Sequence, residues 1–314
     1  MEQAIQSVQS FFKRKDVVIS AHRYGIDAMG AMAQGLFASL LIGTIIKTLG
    51  QQLGLAFLVT AGGYAAAVSA NALGGAGGPL AVYLIAIIAA EVGKLVSKET
   101  KIDILVTPAV TILVGVGLSA LFAPSIGAVA SAVGSLIMWA TELQPLLMGI
   151  VVSVLVGMAL TLPISSAAIC AALGLTGLAG GAAVAGCCAQ MVGFAVMSYK
   201  ENGVGGLVSQ GLGTSMLQMP NILRNPRTWI PPTLAAAITG PIATCLFHLE
   251  MNGPAVSSGM GTCGLVGQIG VYTGWIESGK AVTAFDWIGL VLICFVLPAV
   301  LSTIFCEVLR KKGW

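Results

Sequence analysis

The chain has 314 residues, of which 57% are hydrophobic and only 9% are charged, and its mean hydropathy is +0.95. Soluble globular domains carry about 25% charged residues, so this composition excludes that class. Nucleic-acid binding is excluded as well, because the net charge is only +3 and no basic stripe is interleaved with aromatic residues. We therefore expect an all-α polytopic membrane protein in the lipid bilayer, since long apolar runs of low charge cross lipid as helices.

Residues 1–25 precede the first long apolar run and lack the pattern of a cleaved signal peptide, which needs a continuous apolar core before a small-residue cleavage site. Ile5, Val8, Phe11 and Phe12 fall on one face of a helix. This spacing predicts a short helix lying in the cytoplasmic interface of the membrane. A plain solvated helix is the alternative.

Long apolar stretches then follow one another to the end of the chain. Two of them exceed the roughly 20 residues of a single crossing and are expected to be broken, the first by "GGAGGP" at 74–79 and the second near the glycines from 174 to 181. We expect about eight to ten transmembrane helices, divided between an N-terminal half at 26–163 and a C-terminal half at 164–314. The predicted spans are 27–49, 53–97, 102–122, 124–141, 145–163, 165–198, 231–248 and 286–308.

Basic residues cluster near the ends of these spans and predict the orientation of the chain. They lie at 13–15, 94–101, 200, 224–227 and 310–312, and such residues mark the cytoplasmic side. If 53–97 and 165–198 each cross the membrane once, all of these clusters and both termini are cytoplasmic. Glu91 and Lys94 are three residues apart and are expected to pair on one helix face near that side.

Two semi-polar, glycine-rich segments, 204–227 and 251–279, do not fit the pattern of a spanning helix. Irregular backbone at membrane depth survives only where it is buried in protein or lines a cavity, and interrupted segments in transporters point to the binding site. We expect both segments to be re-entrant. The alternative is that they are external or cytoplasmic loops.

The sequence predicts neither a metal site nor a cofactor. The 7 cysteines are scattered through apolar segments without a C-x-x-C pair, and the 2 histidines are distant from each other. We expect the cysteines to be small buried apolar residues. The match to G-x-G-x-x-G at 259–264 is of the kind that 41 glycines produce by chance.

The segment "HLEMNGP" at 248–254 places rare polar residues where an apolar run ends. A carboxylate at Glu250 can accept hydrogen bonds from two hydroxyl groups of a polyol, and His248 can donate or accept near neutral pH. With Asn252 beside them, these groups could hold a polyol and orient one hydroxyl for attack on a phosphoryl donor. The alternative is a pair of interfacial residues that merely ends a helix.

Between residues 219 and 261 the chain resembles the membrane-embedded IIC subunits of the bacterial sugar phosphotransferase system, in the branch of perfringolysin-regulator-like proteins. The resemblance is carried by Asn225-Pro226, by "WIPP" at 229–232, which opens a helix, and by the acidic residue in the Gly/Pro-rich stretch that follows.

The resemblance implies a homodimer in the bacterial cytoplasmic membrane. Its N-terminal half would form the dimer interface, and its C-terminal half would hold the sugar between re-entrant hairpins. It assigns sugar contact to His248 and Glu250, with Asn252 as a helper and Asn225 as a fourth substrate-binding residue. It also implies separate IIA and IIB phosphocarrier proteins as partners.

Three functions remain open at this point. The first is a permease subunit coupled to the phosphotransferase system, and the second is an uncoupled transporter of a small polar solute on the same fold. The third is a membrane regulator that senses a ligand. Autonomous catalysis by this chain is not expected, and no catalytic residue is assigned.

Overall fold

The computed structural model describes residues 10–15, 17, 20, 22–28, 78–99 and 103–313. Most of the predicted span at 27–49 and of the break at 74–79 lies outside these ranges. The helices, in chain order, are α1 (Gly78–Val96), α2 (Asp103–Thr141), α3 (Pro145–Thr161), α4 (Ser166–Ala172), α5 (Gly177–Met197), α6 (Tyr199–Val208), α7 (Met219–Arg224), α8 (Ile230–Pro241), α9 (Val266–Glu277), α10 (Ala284–Val291) and α11 (Leu297–Lys311).

The all-α prediction is confirmed, since the described residues contain no β structure beyond an isolated bridge between Gly177 and Met251. Three helical runs in the described residues are long and apolar enough to cross a membrane: Gly177–Met197, Pro226–Leu246 and Ala284–Lys311. The second run contains α8, and the third joins α10 to α11 through a π-helical turn. Eight to ten crossings remain a prediction, because residues 29–77 lie outside the described ranges.

The predicted separation of 102–122 from 124–141 is wrong, because α2 is one continuous helix of 39 residues. It is about 58 Å long at 1.5 Å per residue, roughly twice the hydrocarbon thickness of a bilayer. A proline inside a membrane helix removes one backbone donor and does not by itself end the helix. α2 folds back along α1, where Gly93 lies against Thr111 and Gly115 against Ala89.

The stretch 165–198 is broken where its glycines predict a break. α4 ends at Ala172, and α5 begins at Gly177 after a short non-helical connection. Gly174 and Gly177 have φ values of 60° and 64°, a region that glycine enters without steric cost.

Helices α3, α5, α8 and α11 form a tight bundle because small residues let their backbones approach. A Cβ added at Gly186 would lie 1.9 Å from the carbonyl oxygen of Ser153. The Ser153 hydroxyl donates to the carbonyl oxygen of Ala236 at 2.8 Å. α3 thus packs with the C-terminal helices. The division of the chain at 163/164 stays a prediction, and the helix before it contacts the helices after it.

The bundle has two ends, which we name by their residues. The basic end is where α5 and α11 finish, near Met197 and Lys311, and where the run Pro226–Leu246 starts. The far end is where α3 and α5 begin and where that run finishes. Arg310 pairs with Glu201 at 2.9 Å, and Arg224 lies 3.2 Å from His22, both at the basic end.

The segment 247–277, here the far hairpin, enters the bundle from the far end and returns to it. Met251 bridges Gly177 at the start of α5, whereas Thr262 contacts the sulfur of Met191 at 3.6 Å. These two positions on α5 are about 21 Å apart along the helix axis. α9 then leads back to the far end, where Gly274 packs against Asn252.

The segment 198–225, here the basic hairpin, enters from the basic end. Its tip reaches Ser215, which lies 2.8 Å from the Thr161 hydroxyl, and the chain returns through α7. The two hairpins meet inside the bundle, where the Thr262 hydroxyl donates to the carbonyl oxygen of Gly211 at 2.5 Å. Both segments predicted to be re-entrant therefore fold back into the protein.

The N-terminal segment is attached to the connection between α1 and α2. Residues 10–14 are helical, and Lys15 and Arg14 pair with Glu99 at 2.6 and 3.1 Å. The hydrogen bond from Lys15, followed by the charges of Lys15 and Arg14, lowers the pKa of Glu99 despite some desolvation. On α1, Glu91 pairs with Lys94 at 3.1 Å as predicted.

Candidate functional site

A cavity of about 350 Å³ opens at the basic end, where α5 and α11 finish and α6, α7 and the run Pro226–Leu246 lie together. Its volume falls in the range of small-molecule sites, roughly 300–1,000 Å³. Amides, hydroxyls and two arginines make up most of its polar lining, with apolar side chains filling the rest. The lining residues are Phe194, Met197, Ser198, Glu201, Asn202, Gln218, Asn221, Asn225, Arg227, Thr228, Pro231, Cys306, Leu309 and Arg310.

Asn225 is held at the cavity by its local sequence. It precedes Pro226 and caps a short 3₁₀ turn, because its Oδ1 accepts from the backbone N–H of Arg227 at 3.2 Å. The Thr228 hydroxyl donates to the carbonyl oxygen of Asn225 at 2.9 Å. The Nδ2 of Asn225 has no partner among the described residues and is available to a ligand.

Charged groups stand at the rim. Glu201 and Arg310 form their 2.9 Å pair with side chains 55% and 47% exposed. Exposed ion pairs contribute little to stability, so the pair mainly fixes the positions of two charges at the mouth of the cavity. Arg227 is also exposed.

A second polar cluster lies deeper in the bundle. Gln190 is fully buried, and its Oε1 accepts from Trp229 Nε1 at 3.0 Å and from the Thr161 hydroxyl at 3.3 Å. Its Nε2 donates to Thr233 at 3.1 Å. These bonds tie α5 to α3 and α8 close beneath the cavity.

The four predicted site residues do not share one site. Asn225 lines the cavity at the basic end, whereas His248, Glu250 and Asn252 are exposed at the far end. The run Pro226–Leu246 separates them, and its 21 residues extend about 30 Å. At the far end Asn252 Nδ2 donates to Glu250 Oε2 at 2.9 Å, and His248 has a φ of 44°.

Sequence reasoning missed most of the cavity lining. Gln218 and Asn221 in the lining, and Gln190 in the cluster beneath it, carry no charge, so a search for ionisable residues passes over them. One signal was available for Gln190, which is polar within the apolar stretch "AGCCAQMVGFAV", because a polar group buried at such a place must find hydrogen-bond partners.

The arrangement is suited to binding a neutral, polar molecule. Amide and hydroxyl groups supply both donors and acceptors, and Phe194 and Leu309 supply apolar contact. Among the described residues, no three or more His, Cys, Asp and Glu side chains are grouped so that they could hold a metal ion.

Comparison with known proteins gives one match. A family model described as phosphotransferase system, EIIC matches residues 55–314, which is 260 of the 314 residues. The comparisons with curated proteins and with solved structures find no match.

Proposed function

The chain belongs to the phosphotransferase system EIIC family, and on this premise we propose that the cavity at the basic end binds the solute that the protein translocates. The family implies a membrane permease role coupled to the phosphotransferase system. The observation that carries the proposal is that Asn225, in the segment that resembles this family, lines a cavity rich in amides and hydroxyls.

We propose a sugar or a similarly hydroxylated molecule as the solute. Each hydroxyl group of such a molecule both donates and accepts a hydrogen bond, so it needs a wall that offers both. Asn225 offers an N–H donor and Glu201 a carboxylate acceptor within the same cavity. Apolar faces of a sugar ring would pack on Phe194 and Leu309.

The opening at the basic end supports coupling to separate IIA and IIB phosphocarrier proteins. Basic residues face the cytoplasm in membrane proteins, so a solute in this cavity would be accessible from the compartment in which the phosphocarriers act. Arg227 and Arg310 at the cavity would attract a phosphorylated partner. We further propose a homodimer in the bacterial cytoplasmic membrane, with both termini cytoplasmic.

For His248, Glu250 and Asn252 we propose a separate role, as the place where solute first binds on the far side. Their exposure and the hydrogen bond that orients the Glu250 carboxylate support this role. On this proposal Glu250→Gln slows uptake from the far side but leaves binding to the purified protein unchanged.

The test of the cavity uses Asn225→Asp, which keeps the capping oxygen, replaces the Nδ2 donor with an acceptor oxygen and adds a negative charge. Binding of radiolabelled hexoses, hexitols and pentitols to the purified protein is measured, with Asn252→Asp as a matched control at the far end. We expect Asn225→Asp to weaken binding of the best ligand about tenfold, the effect of losing one good hydrogen bond, and Asn252→Asp to change it less than about twofold. Equal effects of the two variants would remove the cavity from the proposal.

Flux through proteoliposomes then distinguishes the three functions left open by the sequence. A coupled permease phosphorylates the solute only when IIA, IIB and a phosphoryl donor are added. Uptake of unmodified solute without them indicates an uncoupled transporter, and binding without flux under either condition indicates a sensor.

A further inference from the structure

Gln210 lies behind the wall of the cavity and does not line it. It is only 3% exposed and belongs to the π-helical turn Ser209–Gly213 in the basic hairpin. π-helical turns are rare and frequently occur at functional sites. This one places a buried amide between two segments that both reach the cavity.

Gln210 joins three lining residues into one hydrogen-bonded chain. Its Nε2 donates to the Ser198 hydroxyl at 2.9 Å, and its Oε1 accepts from Gln218 Nε2 at 2.7 Å. Gln218 Oε1 in turn accepts from Asn221 Nδ2 at 2.9 Å. Asn221, Gln218 and Ser198 all line the cavity.

The chain has one direction. The Ser198 oxygen accepts from Gln210 Nε2, and its own hydroxyl points toward the carbonyl oxygen of Ala195 at 3.4 Å. Each amide then donates toward Ser198 and accepts from the side of Asn221. As a result Asn221 keeps its Oδ1, an acceptor without a partner among the described residues, for a ligand in the cavity.

The hydrogen bonds of Gln210 fix the orientation of neighbouring side chains, which apolar packing alone does not do. Buried amides are costly unless both of their ends are hydrogen-bonded, so Gln210 holds Ser198 and Gln218 in single orientations. An apolar side chain of the same size would fill the space but remove one hydrogen bond from each of those two side chains, so that their orientations would be less fixed. Ligand binding would then have to order these side chains, and the entropy cost would lower the affinity.

We propose that Gln210 is a positioning residue for solute binding, which acts by fixing the hydrogen-bonding direction of the wall formed by Ser198, Gln218 and Asn221. This inference rests on the proposed function of the cavity. It concerns a residue that touches no ligand, and it predicts selectivity for a hydroxyl group that faces Asn221.

The test compares Gln210→Met, which keeps the length of the side chain and removes both hydrogen bonds, with Gln268→Met. Gln268 is a matched control because it is a buried glutamine of the far hairpin, 8% exposed, that donates to the Cys188 sulfur. Affinity, the KM and kcat of transport, and thermal midpoint are measured for the best ligand of the sugar and polyol panel and for its monodeoxy analogues.

We expect Gln210→Met to raise both the dissociation constant and KM about tenfold while kcat changes less than about twofold. The preference for the parent ligand over one monodeoxy analogue should disappear in the same variant. Gln268→Met should keep that preference, and its midpoint without ligand should fall less than that of Gln210→Met, because the buried Oε1 of Gln268 has no partner among the described residues. Ser198→Ala, which removes one bond of the chain, should have a smaller effect on affinity than Gln210→Met.

The outcomes separate this inference from the proposed function. If Asn225→Asp weakens binding and Gln210→Met leaves both affinity and deoxy preference unchanged, the positioning role is wrong and the cavity stands. If Gln210→Met lowers kcat and midpoint with selectivity intact, the residue is only structural and the inference fails. If no panel member binds in a manner sensitive to Asn225→Asp, the proposed function fails and the inference with it.

Discussion

His248 occupies a backbone position that glycine usually takes at the end of a helix. Its φ is 44°, and the turn around it is closed by a hydrogen bond from the Leu249 N–H to the Ala243 carbonyl oxygen at 2.9 Å. Left-handed backbone costs a residue with a Cβ about 1–2 kcal/mol, and histidine accepts it more often than most residues. The left-handed backbone at His248 is therefore a local structural feature that the sequence does not reveal.

The backbone at His248 can be tested with two substitutions that both remove the ring. We expect the free energy of unfolding of His248→Gly to exceed that of His248→Ala by about 1 kcal/mol, because only glycine adopts the positive φ without strain. His248→Gly should therefore unfold at a higher temperature. Thermal midpoints of the purified variants measure the difference. Equal midpoints would show that the position carries no strain.

Glu99 gives the attachment of the N-terminal segment a pH dependence. Its pKa is lowered in the folded protein, chiefly by the hydrogen bond from Lys15, so its contribution is present above the unfolded pKa and is lost as pH falls through the folded pKa. We expect pepsin, which acts at acidic pH, to cleave near Phe11 and Phe12 faster once the pH falls below the usual range of a glutamate, about 4. Digestion of the purified protein from about pH 5 to about pH 3 measures this, with the rate for Glu99→Gln at each pH as the reference for a detached segment. A ratio of the two rates that does not change with pH would contradict the expectation.

For single residues, the sequence predicts those features that are set by adjacent residues in the chain. Asn225 was predicted from Asn225-Pro226 in the segment that carries the family resemblance, and it does line a cavity. Gln210 was not predicted, because its proposed role depends on Ser198 and Gln218, which are 12 and 8 residues away along a chain that turns back on itself. The grouping of Asn225 with His248 and Glu250 failed because chemical suitability does not place residues at the same end of a bundle.

At the scale of helices, the contact between α3 and α5 depends on the absence of a side chain at Gly186. A Cβ there would lie 1.9 Å from Ser153 O, which is backbone and cannot move aside cheaply. We expect Gly186→Ala to destabilise the protein by about 1–3 kcal/mol, as overpacking does. The control is Gly117→Ala on α2, where nothing lies within 4 Å of the added Cβ. Thermal midpoints measure both, and a neutral Gly186→Ala would mean that these helices are less closely packed.

The contact between the two hairpins includes a hydrogen bond from Thr262 to Gly211 O. Thr262→Val keeps the shape of the side chain but leaves a partly buried carbonyl oxygen without this donor, a cost of about 1 kcal/mol. We expect backbone amides at 209–215 and 261–267 to exchange with solvent at least about fivefold faster in this variant. Thr273→Val on α9, whose hydroxyl donates within its own helix, is the control. Unchanged exchange at both segments would show that the hairpins are held together by other contacts.

Hydropathy and glycine content predicted elements well where the chain changes composition, as at 174–177 and in both hairpins. They failed at α2, because an apolar stretch gives no indication of whether the chain leaves the helix at a proline or continues through it. The packing of α3 with the C-terminal helices was also not predictable. It depends on Gly186 meeting Ser153, and sequence patterns do not pair particular small residues on different helices.

At the scale of the whole molecule, one hairpin enters the bundle from the basic end and the other from the far end, and the two meet inside it. The cavity lies against the basic hairpin, and Gly211, next to Gln210, receives the hydrogen bond from the far hairpin. Few contacts therefore lie between the cavity wall and the hairpin that contains Glu250.

The charges of this bundle predict its orientation in the membrane. Arg14, Lys15, Arg224 and Arg310 all form their ion or hydrogen-bonded pairs in or with segments that the sequence places inside, and positive residues favour the cytoplasm. We expect a cysteine introduced at Lys200 to be cytoplasmic and one at Ser278, the residue after α9 at the far end, to be external. In both variants Cys245 and Cys306 are replaced, because the other five cysteines are buried.

Labelling of intact cells with a membrane-impermeant maleimide measures this orientation. Ser278→Cys should react at once, whereas Lys200→Cys should react only after the membrane is permeabilised, and the background without either cysteine should stay unlabelled in both conditions. The reverse pattern would place the cavity outside and separate it from the phosphocarriers, because the solute would then meet the protein on the wrong side for phosphorylation. Labelling of both variants from outside would contradict the parity of the fold itself, since the run Pro226–Leu246, which leads from the basic end to the far end, lies between the two positions in the chain.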